Sequence, residues 1–254
     1  MSDQFIFTPF FLDQPFADLD DMVAPGWNVN RPTLPEGDTL ARMAALYNPL
    51  ADAVEAALEM GERPISIAGD CCASLGMYAG LARAGIKPSL IWFDAHGDFN
   101  TPETTPSGFL GGMPLAWLVG RGDQTLPLAL DFKPLAEWHV ILTDARDLDP
   151  LEAEAVESSA LSHLPAVTDL ERAPLPMGPI WVHFDVDVID VVEAPAVSYP
   201  AEGGPSVRVL GEVFQKLAAS RQVEAVSVSL WNPELDVDGR TQRVVLKLLR
   251  ALLA

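Results

Sequence analysis

Three short stretches carry residues that could do chemistry together. Asp94, His96 and Asp98 stand one residue apart where the apolar run Leu90-Ile91-Trp92-Phe93 ends. Asp185 and Asp187 close a second run, Trp181-Val182-His183-Phe184, and a third, Ser66-Ile67-Ala68, leads into Gly69-Asp70-Cys71-Cys72. Side chains spaced by two lie on one side of an extended backbone. Two neighbouring strands could therefore bring Asp94, Asp98, Asp185, Asp187 and the His96 imidazole to one place. Such groups are costly to desolvate unless something pairs with them, and unneutralised carboxylates repel one another. Two divalent cations would remove both problems. Hard carboxylates with a borderline imidazole suit manganese, and two metals sharing a water lower its pKa enough to make a nucleophile at neutral pH. Each pattern alone has an ordinary explanation, because aspartates are common in turns and caps. Their pairing, each at the end of an apolar run, points to metal.

The elements that must position these residues follow from the surrounding pattern. Strands are expected near 4–12, 64–70, 88–94, 138–143, 164–168, 179–186 and 223–230, and helices near 38–60, 74–84, 111–119, 150–160, 206–219 and 240–252. The strands are apolar on both faces, as a parallel sheet covered by helices requires. Alternation of the two predicts the α/β class, a three-layer α/β/α arrangement with a mainly parallel sheet, in which ligands bind beyond the carboxyl ends of the strands. Asp149-Pro150-Leu151-Glu152 offers a cap, a proline at the first helical position and a glutamate three residues on. Ser206 is placed to cap the helix that follows it. The proline-rich stretches 25–35 and 173–179 read as surface loops. With no repeat or linker in view, residues 1–254 are expected to form one domain.

Bulk properties narrow the function classes. A formal charge of −20 argues against nucleic acid, whose phosphates it would repel. No run approaches the roughly 18 apolar residues of a membrane span, and Met1–Phe7 lacks the basic-then-apolar order of a secretory signal. The two cysteines are adjacent, which is poor geometry for a disulfide. A reduced, cytoplasmic setting is the economical expectation.

These motifs resemble those of the arginase family, the ureohydrolases. Asp94-Ala95-His96-Gly97-Asp98 is similar to the family's Asp-Ala-His-x-Asp. Phe184-Asp185-Val186-Asp187-Val188-Ile189-Asp190 is similar to Ser-x-Asp-x-Asp-x-x-Asp-Pro, with His183 where serine usually stands. Ala68-Gly69-Asp70-Cys71 resembles Gly-Gly-Asp-His, with cysteine in place of histidine. The likeness runs from about residue 65 to 233. It implies an arginase-like fold and hydrolysis of a guanidino or amidino C–N bond at a dimanganese centre by metal-bound hydroxide. By the same resemblance Asp94 and Asp185 bridge both metals, Cys71 and Asp98 complete one site, and His96 and Asp187 complete the other. Asp98 would also act catalytically, steering the nucleophile through the proton it holds. Thiolate is softer than imidazole, so zinc or iron could replace manganese at the Cys71 site. Cys72 is expected to be packing.

The resemblance extends to the substrate. Residues 100–108 are similar to the arginase loop, in which Asn100, Thr105 and Ser107 would bind an α-carboxylate. Arg146-Asp147-Leu148-Asp149-Pro150 is similar to a segment whose second aspartate, here Asp149, faces the α-amino group. The reactive end departs from the family. Gly111 stands where arginase has a proton-transferring histidine, and Leu230 where a glutamate grips the guanidinium. Losing a buried charged partner costs several kcal/mol. An Nω-hydroxyarginine-like amino acid, less basic and with a better leaving group, therefore suits the site better than arginine. His183, two before Asp185 on the same face, is a candidate for compensating in catalysis, as is Glu202. The partner expected is a small amino-acid-like molecule, and the family implies a homo-oligomer, trimer or hexamer. Two other readings compete: a catalytically silent metal- or ligand-binding subunit, and a hydrolase of an amide or amidine lacking an amino-acid end.

Overall fold

Alternate residues of each central strand face opposite layers, and this sorts the core into two clusters. The computed structural model describes residues 2–16, Leu19, 22–229 and 231–254. Ten strands lie among these residues. They are β1 (Asp3–Thr8), β2 (Phe10–Phe11), β3 (Gln14–Pro15), β4 (Asn28–Val29), β5 (Arg63–Ala68), β6 (Ser89–Asp94), β7 (Val140–Asp144), β8 (Ser162–Leu164), β9 (Ile180–Asp185) and β10 (Val223–Ser229). Eight of them form one sheet in the order β4-β1-β5-β10-β9-β6-β7-β8, and every recorded pairing in it is parallel.

The helices are α1 (Thr39–Glu59), α2 (Ser74–Arg83), α3 (Pro114–Leu118), α4 (Thr125–Ala129), α5 (Pro150–Glu157), α6 (Val207–Ser220) and α7 (Arg240–Leu253). Leu90, Trp92, Trp181 and Ala225 pack into one buried cluster with residues of α1 to α5. Their neighbours Ile91, Phe93, Val182 and Val226 pack into a second with α6 and α7. The expected three layers and parallel sheet are present. No helix among the described residues is long and apolar enough to cross a membrane.

The same alternation delivers the site. On the α1–α5 side the inward series runs Leu90, Trp92, Asp94 on β6, Trp181, His183, Asp185 on β9 and Ala225, Ser227, Ser229 on β10. β6 and β9 are neighbours, paired Phe93 to Phe184, so Asp94 and Asp185 emerge side by side at their carboxyl ends. β10 pairs Ser229 with Asp185 and lies between β9 and β5.

Several boundaries differ from the pattern-based expectation. The strand expected at 164–168 ends at Leu164, and Val167–Glu171 is a 3₁₀ turn. The reason is local: the Asp169 carboxylate accepts from the Ala166 N–H, drawing the chain into a turn. Residues 4–12 are two strands, because Phe10–Phe11 leaves the sheet to pair with Gln14–Pro15 as a hairpin. The proline-rich stretch 25–35 contributes β4 to the sheet edge, and the expected helix at 111–119 is a 3₁₀ turn followed by α3.

Glycines set the closest helix approach. At Gly80 on α2 an added Cβ would lie 2.5 Å from Val54 Cβ and 2.6 Å from the Ala51 carbonyl oxygen on α1. Gly80→Ala would gain ~1 kcal/mol of helix propensity at an exposed position. Here the overpacking outweighs it, so the variant should unfold about 1–3 kcal/mol more easily. Denaturant melts read this directly, and a variant as stable as the parent would contradict the close packing.

Candidate metal centre

Each chemical residue is held by something identifiable. After β5 the chain turns at Asp70, whose carboxylate accepts from Cys72 N at 2.8 Å and from Leu12 N at 2.6 Å. This fixes the Cys71–Ala73 turn and ties the β2–β3 hairpin above it. Gly69 is required there, since its amide bonds the Phe10 carbonyl at 3.1 Å and any Cβ would collide with that oxygen. Asp94 accepts from Trp92 Nε1 at 2.9 Å and from His96 N at 2.7 Å. Asp185 accepts from Asp187 N at 2.8 Å, and Asp187 from Ala95 N at 3.1 Å, locking the ends of β6 and β9 together. Arg146 donates to Asp144 and to the carbonyls of Asp187, Val188, Ala201 and Glu202, pinning the segment after β9. Asp98 takes a left-handed conformation with φ +51°, an uncommon state for a non-glycine residue that concentrates at functional sites.

Ligand atoms of two overlapping groups come within 4.8 Å of one another: Cys71, Asp94, His183 and Asp185 in one, and Asp94, His96 and Asp187 in the other. All are buried except His96, which is half-buried. Asp94 belongs to both groups. Asp98 belongs to neither, but its Oδ2 is buried without a hydrogen-bond partner among the described residues, as is Asp187 Oδ2. His96 Nδ1 lies 3.0 Å from that Asp187 oxygen. Two lone-pair donors facing each other at this distance fit a shared cation. The residues present therefore fit a pair of divalent ions.

Electrostatics show how strongly the site wants neutralising. Burial first, then Asp94, pushes the Asp98 carboxyl well above the usual carboxylate range. Burial, Asp187 and Asp94 do the same for Asp185, and burial with Asp187 raises Asp94. Burial and the same carboxylates push the Cys71 thiol up. Burial opposes charge on His96, but Asp187 and Asp94 outweigh it and push the imidazole up to about 12. His183 goes the other way. Burial holds it down to about 3, as a neutral ring.

A cavity of about 190 Å³ opens over the group, lined among others by Cys71, His96, Asp98, Asn100, Thr105, Ser107 and Asp149. The predicted substrate residues are thus brought together, and Asn100 Nδ2 donates to Asp149 Oδ2 at 3.0 Å. Asp149 also precedes α5, where Glu152 accepts from its amide as the sequence suggested. His183 does not line the cavity; it is buried behind the carboxylates, stacked on Trp92 with centroids 3.6 Å apart. Glu202 is exposed and offers its carbonyl to Arg146. Leu230 lies outside the described residues. Cys72 is buried in the core, as expected.

Sequence reasoning missed an aromatic wall. Phe11, Phe109 and Tyr199 line the cavity and contact one another, Phe11 to Phe109 at 6.2 Å and Phe109 to Tyr199 at 5.2 Å between centroids. A Cβ at position 111 would overlap the Phe109 ring, so Phe109 fills the space beside Gly111. Glu152 was visible as a capping residue, but its second role was not. It also accepts from Phe99 N at 2.8 Å and lines the cavity, and Gly97 admits its carboxylate, which an added Cβ would approach to 2.6 Å.

Fold and site together define a parallel α/β/α protein with a divalent-metal site at its strand ends. The chain belongs to the arginase family, whose family model matches residues 7–254. It is 30% identical over 234 residues to the arginase of Bacillus caldovelox, covering 85% of this chain and 78% of that one. The crystal structure of arginase from Bacillus subtilis superposes with a TM-score of 0.84 at 26% identity, over 100% of this chain and 99% of that one. The Entamoeba histolytica arginase in complex with L-ornithine shares the fold, with a TM-score of 0.82 at 23% identity over the whole of both chains. The chain is an arginase-family ureohydrolase with a metal-binding site.

Protons held by Asp98, Asp185 and His96 must leave when cations bind, because the ligands have to be deprotonated. Each displaced proton weakens apparent binding about tenfold per pH unit lowered. Mn2+ affinity should therefore fall at least about tenfold from pH 8 to pH 7. Calorimetry in buffers of different ionisation enthalpy should show proton release, and a pH-independent affinity would refute the assignment.

Proposed function

We propose that this chain hydrolyses a guanidino C–N bond in an arginine-related α-amino acid, of the Nω-hydroxyarginine kind, using two divalent ions. The observation that carries the reading is the shared cavity. Residues suited to an amino-acid end, Asn100, Thr105, Ser107 and Asp149, line the same small space as Asp98, His96 and Cys71. L-Ornithine, the ligand of the Entamoeba relative, carries the α-amino and α-carboxylate groups these residues would take.

Cys71, Asp94, His96, Asp98, Asp185 and Asp187 are the side chains we assign to the metals. When bound, the pair supplies an acidified water as nucleophile and polarises the carbon under attack. Asp149 holds the substrate's α-amino group and is itself oriented by Asn100. Thr105 and Ser107, joined through hydroxyls 3.4 Å apart, present donors to the α-carboxylate. Asp98 accepts a proton at its Oδ2, which is buried and has no hydrogen-bond partner among the described residues. It can then return that proton to the leaving nitrogen as a general acid. Phe11, Phe109 and Tyr199 exclude water from the mouth, which strengthens the charge interactions beneath.

The Phe109 ring beside Gly111 also favours a second reading, a silent metal-binding subunit, because no side chain at 111 can reach the reacting atoms. An assay separates the two. With Mn2+ supplied, the chain should turn over Nω-hydroxyarginine faster than arginine, and neither agmatine nor formimidoylglutamate. Asp149→Asn should raise KM about 30-fold, the loss of ~2 kcal/mol at the low end of what a charged partner in an interface is worth, since Asp149 is only half-buried. Absence of urea, hydroxyurea, ammonia and formamide from all four compounds would leave the silent reading in possession.

A further inference from the structure

His183 has no route to substrate, yet the fold spends a network on aiming it. Its Nδ1 lies 2.8 Å from Ser227 Oγ, which also accepts from Trp181 Nε1 at 3.0 Å. Ser227 can accept both bonds, which puts the His183 proton on Nδ1 and a lone pair on Nε2. That Nε2 faces the strand ends, where Ser229 Oγ sits 3.2 Å away. Ser229 Oγ is in turn 3.1 Å from Cys71 Sγ, and Cys71 donates to Asp185 Oδ2 at 2.7 Å. Trp92 stacks on the ring and also donates to Asp94. A ligating histidine commonly donates its other ring N–H to an oxygen acceptor that fixes the ring, and Ser227 Oγ is placed to be that acceptor.

We propose that His183 is a metal ligand, completing with Cys71, Asp94 and Asp185 a sulfur-, nitrogen- and oxygen-donating site distinct in character from the harder Asp94–His96–Asp187 site. A donor set including a thiolate and an imidazole is the kind favoured by zinc, cobalt or iron(II). Carboxylates with a single imidazole suit manganese. The two halves of the centre therefore prefer different metals. The motif departures noted in the sequence, cysteine at 71 and histidine at 183, are then one exchange. The imidazole absent from the turn after β5 is resupplied from β9, and the thiol takes its place. This inference rests on the proposal above that the chain binds two divalent ions.

Titration of the chelator-stripped full chain with Co2+ tests it. The parent should take up two ions and develop a near-ultraviolet thiolate-to-cobalt band, which Cys71→Ser abolishes. His183→Asn should weaken one of the two ions by more than the roughly 10- to 100-fold that loss of an outer-shell partner costs. X-ray absorption of the loaded variant should count one imidazole fewer per chain. The exchange variant Cys71→His/His183→Ser should hold two ions without the band, which covers the case in which His183→Asn fails to fold. Two ions bound by His183→Asn as tightly as by the parent, with the band unchanged, overturns the inference while leaving the dinuclear reading intact. Failure of the parent to bind Co2+, Mn2+ or Zn2+ would remove both.

Discussion

Buried like charge governs this protein. Asp94, Asp98, Asp185 and Asp187 are all at most 5% exposed and gather at the ends of two adjacent strands. Unit charges about 4 Å apart at an effective dielectric of about 20 repel by about 4 kcal/mol. A fold with only about 5–15 kcal/mol of net stability does not carry several such terms uncompensated. In the metal-free chain protons supply the compensation, which is why the carboxyls and His96 are driven upward. Cations bound among the carboxylates would take over that role. Metal loading and protonation are then alternative solutions to one electrostatic problem.

Everything around the carboxylates restricts where they can go. Backbone amides at Ala95, His96 and Asp187 each donate to one of them, so the strand ends cannot splay. Trp92 does two jobs, bonding Asp94 and backing His183, while Arg146 gathers four carbonyls from two loops. These groups leave one oxygen each of Asp98 and Asp187 without a hydrogen-bond partner among the described residues, as the free valences of the site. Preorganisation of this kind is what lets fixed charges act without reorganising at the moment of reaction.

The mouth of the cavity has a different logic. The side lined by Asn100 and Asp149 is polar and cross-linked, whereas the outer wall is aromatic. Phe11 reaches it from the N-terminal hairpin, Phe109 from the loop before α3 and Tyr199 from the segment after β9. Gly111 and Phe109 form a matched pair, because the ring occupies what would be side-chain space.

Local pattern determined much of this. Spacing by two placed Asp94 with Trp92 and Asp185 with His183 on one sheet face. Apolar runs on both faces called for a covered parallel sheet. Glu152 and Ser206 cap their helices as their neighbours implied, Ser206 Oγ accepting from Val209 N at 3.3 Å. These features are legible because they depend on residues a few positions apart. Tertiary structure alone decided that Cys71 meets Asp185 across 114 positions, that His183 turns inward to that pair rather than toward the cavity, and that Phe109 closes over Gly111. It also decided that Phe10–Phe11 leaves the sheet to pair with Gln14–Pro15 as a hairpin. The physical reason is strand order. β10, late in the chain, inserts between β5 and β9 and lays Ser227 and Ser229 beside His183, a neighbour relation that no local periodicity encodes.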